Sequence, residues 1–367
     1  MVLVVYYEKE LAALKRSGRY RERCLYEPSL ADLASNDYLG FADRPEFMHA
    51  ACRSLEEAPS HAAKASMLVN GYHQIHADFE KALCKANDFE ECIILGSGFN
   101  ANIAMIEALA RRGDELFMDE KYHASGILAT KLTEAKVTFF IHNSADDLRG
   151  KLDSSAARRK IVAVEGIYSM EGDLLEREII TAADEHDALL IVDEAHSSGV
   201  VGERLMGVFD HYGIEVGQNH IKMGTLGKAY GSFGAYILAS RHIADYLVNR
   251  AKPVIYATAP SLFDTLLGHK ALDYIIANPQ ELTRQINERR RLVKELLGID
   301  MDGLIAPVKI GDNRKVIEIR DALKRQGVLV GAIRQPTVDS AIIRLIARLG
   351  VDEKVLIQAA DIIRAYC

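Results

Sequence analysis

Lys228 lies in Gly224-Thr225-Leu226-Gly227-Lys228-Ala229-Tyr230-Gly231, directly after the apolar run Ile221–Met223. Small residues let a ligand approach the backbone closely. A lysine amine in a partly dry site can lose its proton and attack a carbonyl. A lone Gly-Lys is ordinarily a solvated turn, because short motifs match by chance. Polar groups after four other apolar runs change that balance. Cys92–Leu95 is followed by Gly96-Ser97-Gly98-Phe99, a glycine-hydroxyl turn opening a helix, where backbone N–H groups can meet an anion. Glu115–Met118 leads to His123-Ala124-Ser125, and Ile161–Val164 leads to Glu165-Gly166 and Ser169. Leu189–Val192 leads to Asp193-Glu194-Ala195-His196. Any one of these is equally well a helix cap or a surface turn. Together they offer an anion cradle, a carboxylate, two imidazoles, a hydroxyl and a lysine amine. An aromatic aldehyde phosphate needs that combination.

The elements that must position these groups alternate. Apolar runs at 92–95, 115–118, 137–141, 161–164, 189–192, 221–223 and 235–239 read as strands, and helical patterns such as Ala101–Arg111 and Ile179–His186 lie between several of them. Such alternation predicts an α/β fold with right-handed crossovers and a mostly parallel central sheet. In such sheets ligands gather at the carboxyl ends of the strands, where the polar groups fall. The rhythm changes near Pro260. Two long helices, at 261–276 and 281–297, precede short strands near 305–310, 328–330 and 342–346, with helices at 313–326 and 352–366. We therefore expect an amino-terminal helix and arm over 1–41, a large cofactor-binding α/β domain over 42–260, and a smaller α+β carboxy-terminal domain over 261–367. The leading helix is expected over 5–20, with Leu11 and Leu14 on one side, and needs a surface to pack on.

Composition excludes several classes. A net charge of -7 without a long basic stretch argues against nucleic acid; Arg158-Arg159-Lys160 and Arg289-Arg290-Arg291 read as solvated faces. Five cysteines, Cys24, Cys52, Cys84, Cys92 and Cys367, form no Cys-x-x-Cys pair, which favours reduced thiols and a cytoplasmic location. Met1–Tyr7 is too short for a signal core, and no stretch approaches the ~20 apolar residues that span a bilayer. Asp193-Glu194-Ala195-His196 also marks a helicase family, but the phosphate loop such an ATPase requires is missing. His73 and His76 lack a carboxylate or thiolate partner at helical spacing, so no metal site is expected.

The order of these segments resembles the α-oxoamine synthases, pyridoxal-phosphate enzymes of fold type I that condense an amino acid with an acyl-CoA and lose carbon dioxide. The resemblance rests on Ser35-Asn36-Asp37-Tyr38-Leu39-Gly40, Asn70-Gly71-Tyr72 with His76 and Phe79-Glu80, Ser97-Gly98-Phe99 with Ala101-Asn102, and His123-Ala124-Ser125. It continues through Glu165-Gly166 with Ser169-Met170 and Gly172-Asp173, Asp193–His196, Gly224–Ala229, Gly311-Asp312-Asn313, and Ile333-Arg334 with Pro336-Thr337-Val338. These run in family order over about residues 30–345. The chain departs from the family at His61–Val69, usually glycine-rich, at Gln335, where a proline is common, and at Leu345-Ile346-Ala347-Arg348.

The resemblance implies a fold-type-I pyridoxal-phosphate transferase acting as a homodimer. Lys228 would hold the cofactor covalently and then act on the Cα proton of the amino acid. Asp193 would pair with the pyridine nitrogen, His123 would stack on the ring, and His196 and Ser169 would reach the phenolic oxygen. Gly98, Phe99 and Thr225 would hold the phosphate. Arg334 would clamp the substrate carboxylate, with Asn36 nearby. Within the family the Ser35–Gly40 and Asn70–Tyr72 segments look closest to the members that join alanine to a pimeloyl thioester, with the pairing of glycine and acetyl-CoA as the alternative. Beyond the family, a fold-type-I aminotransferase or β-eliminating lyase is a competing enzyme class. A non-enzymatic binding protein would have lost Lys228 or Asp193, and both are present.

Overall fold

A computed structural model describes residues 2–17 and 19–366; Met1, Gly18 and Cys367 lie outside them. Among the described residues eleven strands form two sheets: β1 (Ala31–Leu33), β2 (Glu91–Leu95), β3 (Glu115–Asp119), β4 (Lys136–Phe140), β5 (Lys160–Glu165), β6 (Leu189–Asp193), β7 (His220–Thr225), β8 (Ala235–Ala239), β9 (Ile305–Gly311), β10 (Val328–Ile333) and β11 (Ala341–Ile346). The larger sheet has seven strands in the order β2-β8-β7-β6-β5-β3-β4. Only β8 runs against its neighbours. The smaller sheet has the order β1-β10-β11-β9. Its edge strand β1 comes from the leading arm and pairs in parallel with β10, Ala31 opposite Val328. The arm is thus part of the smaller sheet's hydrogen bonding.

The apolar runs are strands because both faces of the larger sheet are covered. Val162 and Val164 of β5, Leu190 and Val192 of β6 and Tyr236 and Leu238 of β8 pack into one buried cluster. Their alternating neighbours Ile161, Ala163, Ile191, Ile221, Met223, Ala235 and Ile237 pack into another, with the helix Gly98–Leu109. Period-two alternation between two dry faces leaves no polar face along a strand. The polar groups appear where the strands end, in line with Glu165 and Asp193, which sit directly opposite each other at the ends of β5 and β6.

The leading helix runs over Val2–Arg16, shorter than the expected 5–20 at its end, and Val4, Val5, Tyr6, Tyr7, Leu11 and Leu14 are exposed. Helices at Pro45–Glu56 and Gln74–Asn87 were not anticipated from sequence. His73 and His76 have a local use here. The His73 ring accepts from the Ile75 N–H at 3.2 Å, and the His76 ring takes the His73 N–H at 3.1 Å and reaches Pro260 O at 3.0 Å. They cap the start of the helix and tie it to residue 260.

A partly buried ion-pair cluster joins the end of β3 to the loops after β4 and β5. His142 Nδ1 lies 3.0 Å from Asp119 Oδ1, and its Nε2 lies 3.1 Å from Asp173 Oδ2. Tyr168 donates to Asp119 Oδ2 at 2.8 Å. Burial alone would push the imidazole pKa down, but hydrogen bonds and attraction from the two carboxylates raise it to about 10. A histidine whose pKa rises on folding stabilises the fold fully below its unfolded value near 6.5, and that stabilisation disappears as pH rises through about 10. We expect His142→Gln to lower unfolding free energy by about 2 kcal/mol at pH 7. Urea titrations of both proteins should show the gap narrowing as pH rises from about 7 to about 10; a gap independent of pH would contradict the assignment.

Candidate active site

One cavity of about 210 Å³ opens at the carboxyl ends of β2, β3, β5, β6 and β7, lined by Gly98, Phe99, Asn102, His123, Ser125, Glu165, Asp193, Ala195, His196, Met223, Thr225 and Lys228. Seven of the residues singled out in sequence meet there: Gly98, Phe99, His123, Asp193, His196, Thr225 and Lys228. They come from four separate strand ends, and Glu165 adds a fifth at β5, so the sheet's topology brings them together.

Each group has a local cause for its position. Ser97 caps the helix Gly98–Leu109, its Oγ accepting from the Asn100 N–H at 3.2 Å, which leaves the first N–H groups of the helix at the cavity. A Cβ on Gly98 would lie 2.6 Å from Thr225 Cγ2, so only glycine lets the two segments come this close. Asp193 accepts from Asn102 Nδ2 at 2.9 Å and from the Ala195 N–H at 3.0 Å. Asn102 is fixed in turn, accepting from Tyr122 at 2.7 Å and donating to Ser125 Oγ at 3.0 Å. Ser125 Oγ stands 2.7 Å from His123 Nδ1, so a single amide orients both the carboxylate and the imidazole. Burial pushes the His123 pKa down, against the pull of Asp193.

Lys228 Nζ lies 2.8 Å from His196 Nε2, and His196 Nδ1 lies 2.5 Å from the Tyr38 hydroxyl. Tyr38 reaches Asn36 Oδ1 at 3.3 Å, which also accepts from Arg344 Nη1 at 3.0 Å. With the proton of His196 on Nδ1, every donor in this chain finds an acceptor. Burial brings the Lys228 amine down to about 8, with Asp193 and Glu165 opposing. Burial, then Lys228 and Arg344, hold His196 well below its usual value, so it is neutral. A neutral imidazole can accept from the lysine.

Ser169 and Asn36 stand just outside the cavity lining. The Ser169 N–H donates to Glu165 Oε2 at 3.2 Å, and its carbonyl accepts from Arg344 Nε at 2.8 Å. Arg334 is half-buried in the turn past β10 and does not line the cavity. That turn leans on the larger sheet through the Lys121–Asp339 ion pair. Gln335, one of the departures from the family pattern, donates its side-chain amide to Asp339 O at 2.7 Å within the same turn.

Sequence reasoning missed Arg344, Tyr38, Asn102 and Glu165 as site residues. Arg344 had a readable signal. It is the one charged residue in Ala341–Ile346, it is buried, and a buried guanidinium is rare without a partner. Arg348, in the other atypical segment, carries a structural role. Its guanidinium donates to Asp37 O at 3.1 Å, Asp37 Oδ2 at 2.5 Å, Asp32 Oδ2 at 3.1 Å and Asp43 Oδ2 at 2.7 Å. Asp37 also takes the Phe41 N–H at 2.9 Å, so Arg348 sets the loop that presents Asn36 and Tyr38. Arg348→Ala strands a buried carboxylate and is expected to cost about 3 kcal/mol in urea unfolding. A loss below about 1 kcal/mol would mean the cluster behaves as a surface ion pair.

The donor set suits pyridoxal phosphate. The helix start beside Thr225 suits a dianion, the Asn102-held carboxylate suits a protonated ring nitrogen, the His123 imidazole can cover a ring, and the Lys228 amine, at about 8, suits an aldehyde. Comparison with known proteins agrees. The model of the family described as aminotransferase class I and II matches residues 28–363. An 8-amino-7-oxononanoate synthase of Helicobacter pylori is 42% identical over 341 residues, covering 92% of this chain and 91% of that protein. A putative 8-amino-7-oxononanoate synthase of Aquifex aeolicus is 34% identical, covering 95% of this chain and 94% of that one. Among solved structures, a serine palmitoyltransferase from S. paucimobilis with bound PLP–myriocin superposes with a TM-score of 0.87 at 23% identity, covering 98% of this chain and 97% of that one. An 8-amino-7-oxononanoate synthase from Francisella tularensis gives a TM-score of 0.78 at 25% identity, covering 92% and 98%. This chain belongs to the aminotransferase class I and II family and, within it, to the α-oxoamine synthases, whose cofactor is pyridoxal phosphate.

Proposed function

We propose that this protein is an 8-amino-7-oxononanoate synthase, joining L-alanine to a pimeloyl thioester with loss of CO2 and the carrier thiol, a step of biotin biosynthesis. The observation that carries the reading is the convergence of Lys228, His196, Asp193 and His123 on one cavity, in a chain 42% identical to a synthase of that name. Bound pyridoxal phosphate supplies an electron sink for the carbanion at the amino acid Cα. The rest is the work of this chain. Gly98, Phe99 and Thr225 would hold the phosphate, Asp193 would keep the ring nitrogen protonated, and His123 would cover the ring. His196 and Ser169 would serve the phenolic oxygen. Lys228 removes the Cα proton and later returns one; between these steps Cα bonds to the thioester carbonyl carbon, the thiolate leaves, and the carboxylate departs as CO2.

We place the substrate carboxylate on Arg344 rather than on Arg334. Arg344 is anchored by Ser169 O and Asn36 Oδ1, and its charge acts on both Lys228 and His196. A guanidinium fixed by such anchors loses little entropy on taking a carboxylate. Arg334, beyond β10, is the competing choice.

The reading includes a homodimer. The apolar side chains Val4, Tyr6, Tyr7 and Leu11 of the leading helix and Leu68, Val69 and Tyr256 are exposed in a single chain, and a second copy of the chain would cover them. Light scattering after size exclusion should return twice the chain mass; a monomer at micromolar concentration would remove this part. The thioester reading is tested by thiol release across a panel of amino acids and acyl-CoAs. Alanine with pimeloyl-CoA should exceed glycine with acetyl-CoA, and the reverse order would name a glycine acetyltransferase instead. No helix among the described residues is long and apolar enough to cross a membrane, which fits the cytoplasmic setting that this reaction implies.

A further inference from the structure

Two carboxylates enter the cavity side by side. Glu165 and Asp193 are register partners at the ends of β5 and β6, so their side chains leave the same face of the sheet. They are treated differently. Asp193 accepts from Asn102 Nδ2 and from the Ala195 N–H. Glu165 is almost wholly buried; its Oε2 takes the Ser169 N–H at 3.2 Å, and its Oε1 is buried without any partner. A dry carboxylate with one bare oxygen, beside a second carboxylate, is costly, and binding a proton removes both the bare charge and the repulsion.

We propose that Glu165 stands in the cofactor cavity as the neutral carboxylic acid, its proton on Oε1, so that Asp193 alone faces the cofactor ring as an anion. Glu165 then acts as a positioning residue. Its Oε2 fixes the Ser169 N–H, and the Ser169 carbonyl fixes Arg344 Nε, so a neutral acid holds the link between the ring pocket and the arginine. The groups facing it are Asp193 from β6, Lys228 past β7, Tyr122 and His123 past β3, Tyr168 past β5 and Tyr38 from the arm. Burial and Asp193 favour the proton, while Lys228 and the backbone N–H groups of Ser169 and His123 oppose it. This arrangement deepens the pyridoxal-phosphate reading and rests on it for its purpose, although the proton itself can be seen without cofactor.

The test is infrared difference spectroscopy of the cofactor-free protein, wild type minus Glu165→Gln. Subtraction removes the other buried carboxyls, among them Glu80 and Glu194. The expected result is a C=O stretch of a protonated carboxylic acid that persists from pH 6 to pH 8 and shifts in D2O. Only carboxylate bands across that range would overturn the proposal, whatever the enzyme's substrate proves to be. Pyridoxal-phosphate affinity gives a second readout. Glu165→Ala should weaken it by about tenfold or more, and Glu165→Gln, which keeps the neutral shape, should recover most of that loss. A glutamine variant as weak as alanine would also overturn it.

Discussion

Lys228→Ala is expected to abolish thiol release, lowering the rate by roughly 10³-fold or more, because on the proposed reading one substitution removes both the covalent anchor and the Cα base. The fold should survive. The lysine sits in a turn after β7, and the residues around it are held by other contacts, such as Leu226 N–H to Gly234 O at 2.9 Å. Borohydride should fix pyridoxal phosphate to the wild-type chain and leave the variant unmodified. Visible absorption that stays borohydride-reducible in the variant would move the anchor to another lysine. Buried Lys222 is the natural control, since it donates to Asn87 Oδ1 at 2.8 Å on the opposite face of β7. The pH dependence has a definite sign. Burial brings Lys228 to about 8, so cofactor uptake by the apoprotein should speed up as pH rises through 8, when the amine becomes neutral. Uptake that slows over the same range would contradict a free-amine nucleophile.

Arg344→Ala is the second large effect. Removing a carboxylate clamp of this kind costs about 3–5 kcal/mol, or roughly 10²- to 10⁴-fold in kcat/KM for the amino acid. Most of the loss should appear in the KM for alanine, with acyl-CoA KM little changed. Arg344→Lys should recover little, because an ammonium cannot keep Ser169 O and Asn36 Oδ1 and also take a carboxylate in the same planar geometry. Arg334→Ala is the matched comparison. A larger rise in the alanine KM for Arg334→Ala than for Arg344→Ala would return the clamp to the position that the family pattern suggested.

The two arginines show where the sequence was informative. Strand positions in the larger sheet were legible because short apolar runs such as Leu189–Val192 pack on both faces. The cofactor pocket was legible for a related reason. Each of its groups follows directly on such a run, so locating the strand also located the group. The carboxylate clamp that we propose lay off that path. Arg334 stood in a recognisable Arg-Gln-Pro-Thr segment, whereas Arg344 was hidden inside a strand, and only pairing of β11 with β9 and β10 carries it to Asn36, 308 residues earlier in the chain. The arm was opaque for the same cause. Nothing local in Ala31–Leu33 announces that it will be the edge of a sheet built from residues 305–346, or that Arg348 will gather Asp32, Asp37 and Asp43 around the loop bearing Tyr38. Asn102 reads as an ordinary helix residue, and it earns attention only once the fold sets its amide between Asp193 and Ser125.

The central claim is a decarboxylative condensation, and the stoichiometry of one reaction tests it. The loaded enzyme is incubated with pimeloyl-CoA and alanine labelled at its carboxyl carbon, and free CoA thiol and labelled CO2 are followed together. The account expects the two to appear in equal amounts, with no product when either substrate is left out. Thiol release without labelled CO2, or conversion of alanine to pyruvate without thiol, would contradict it.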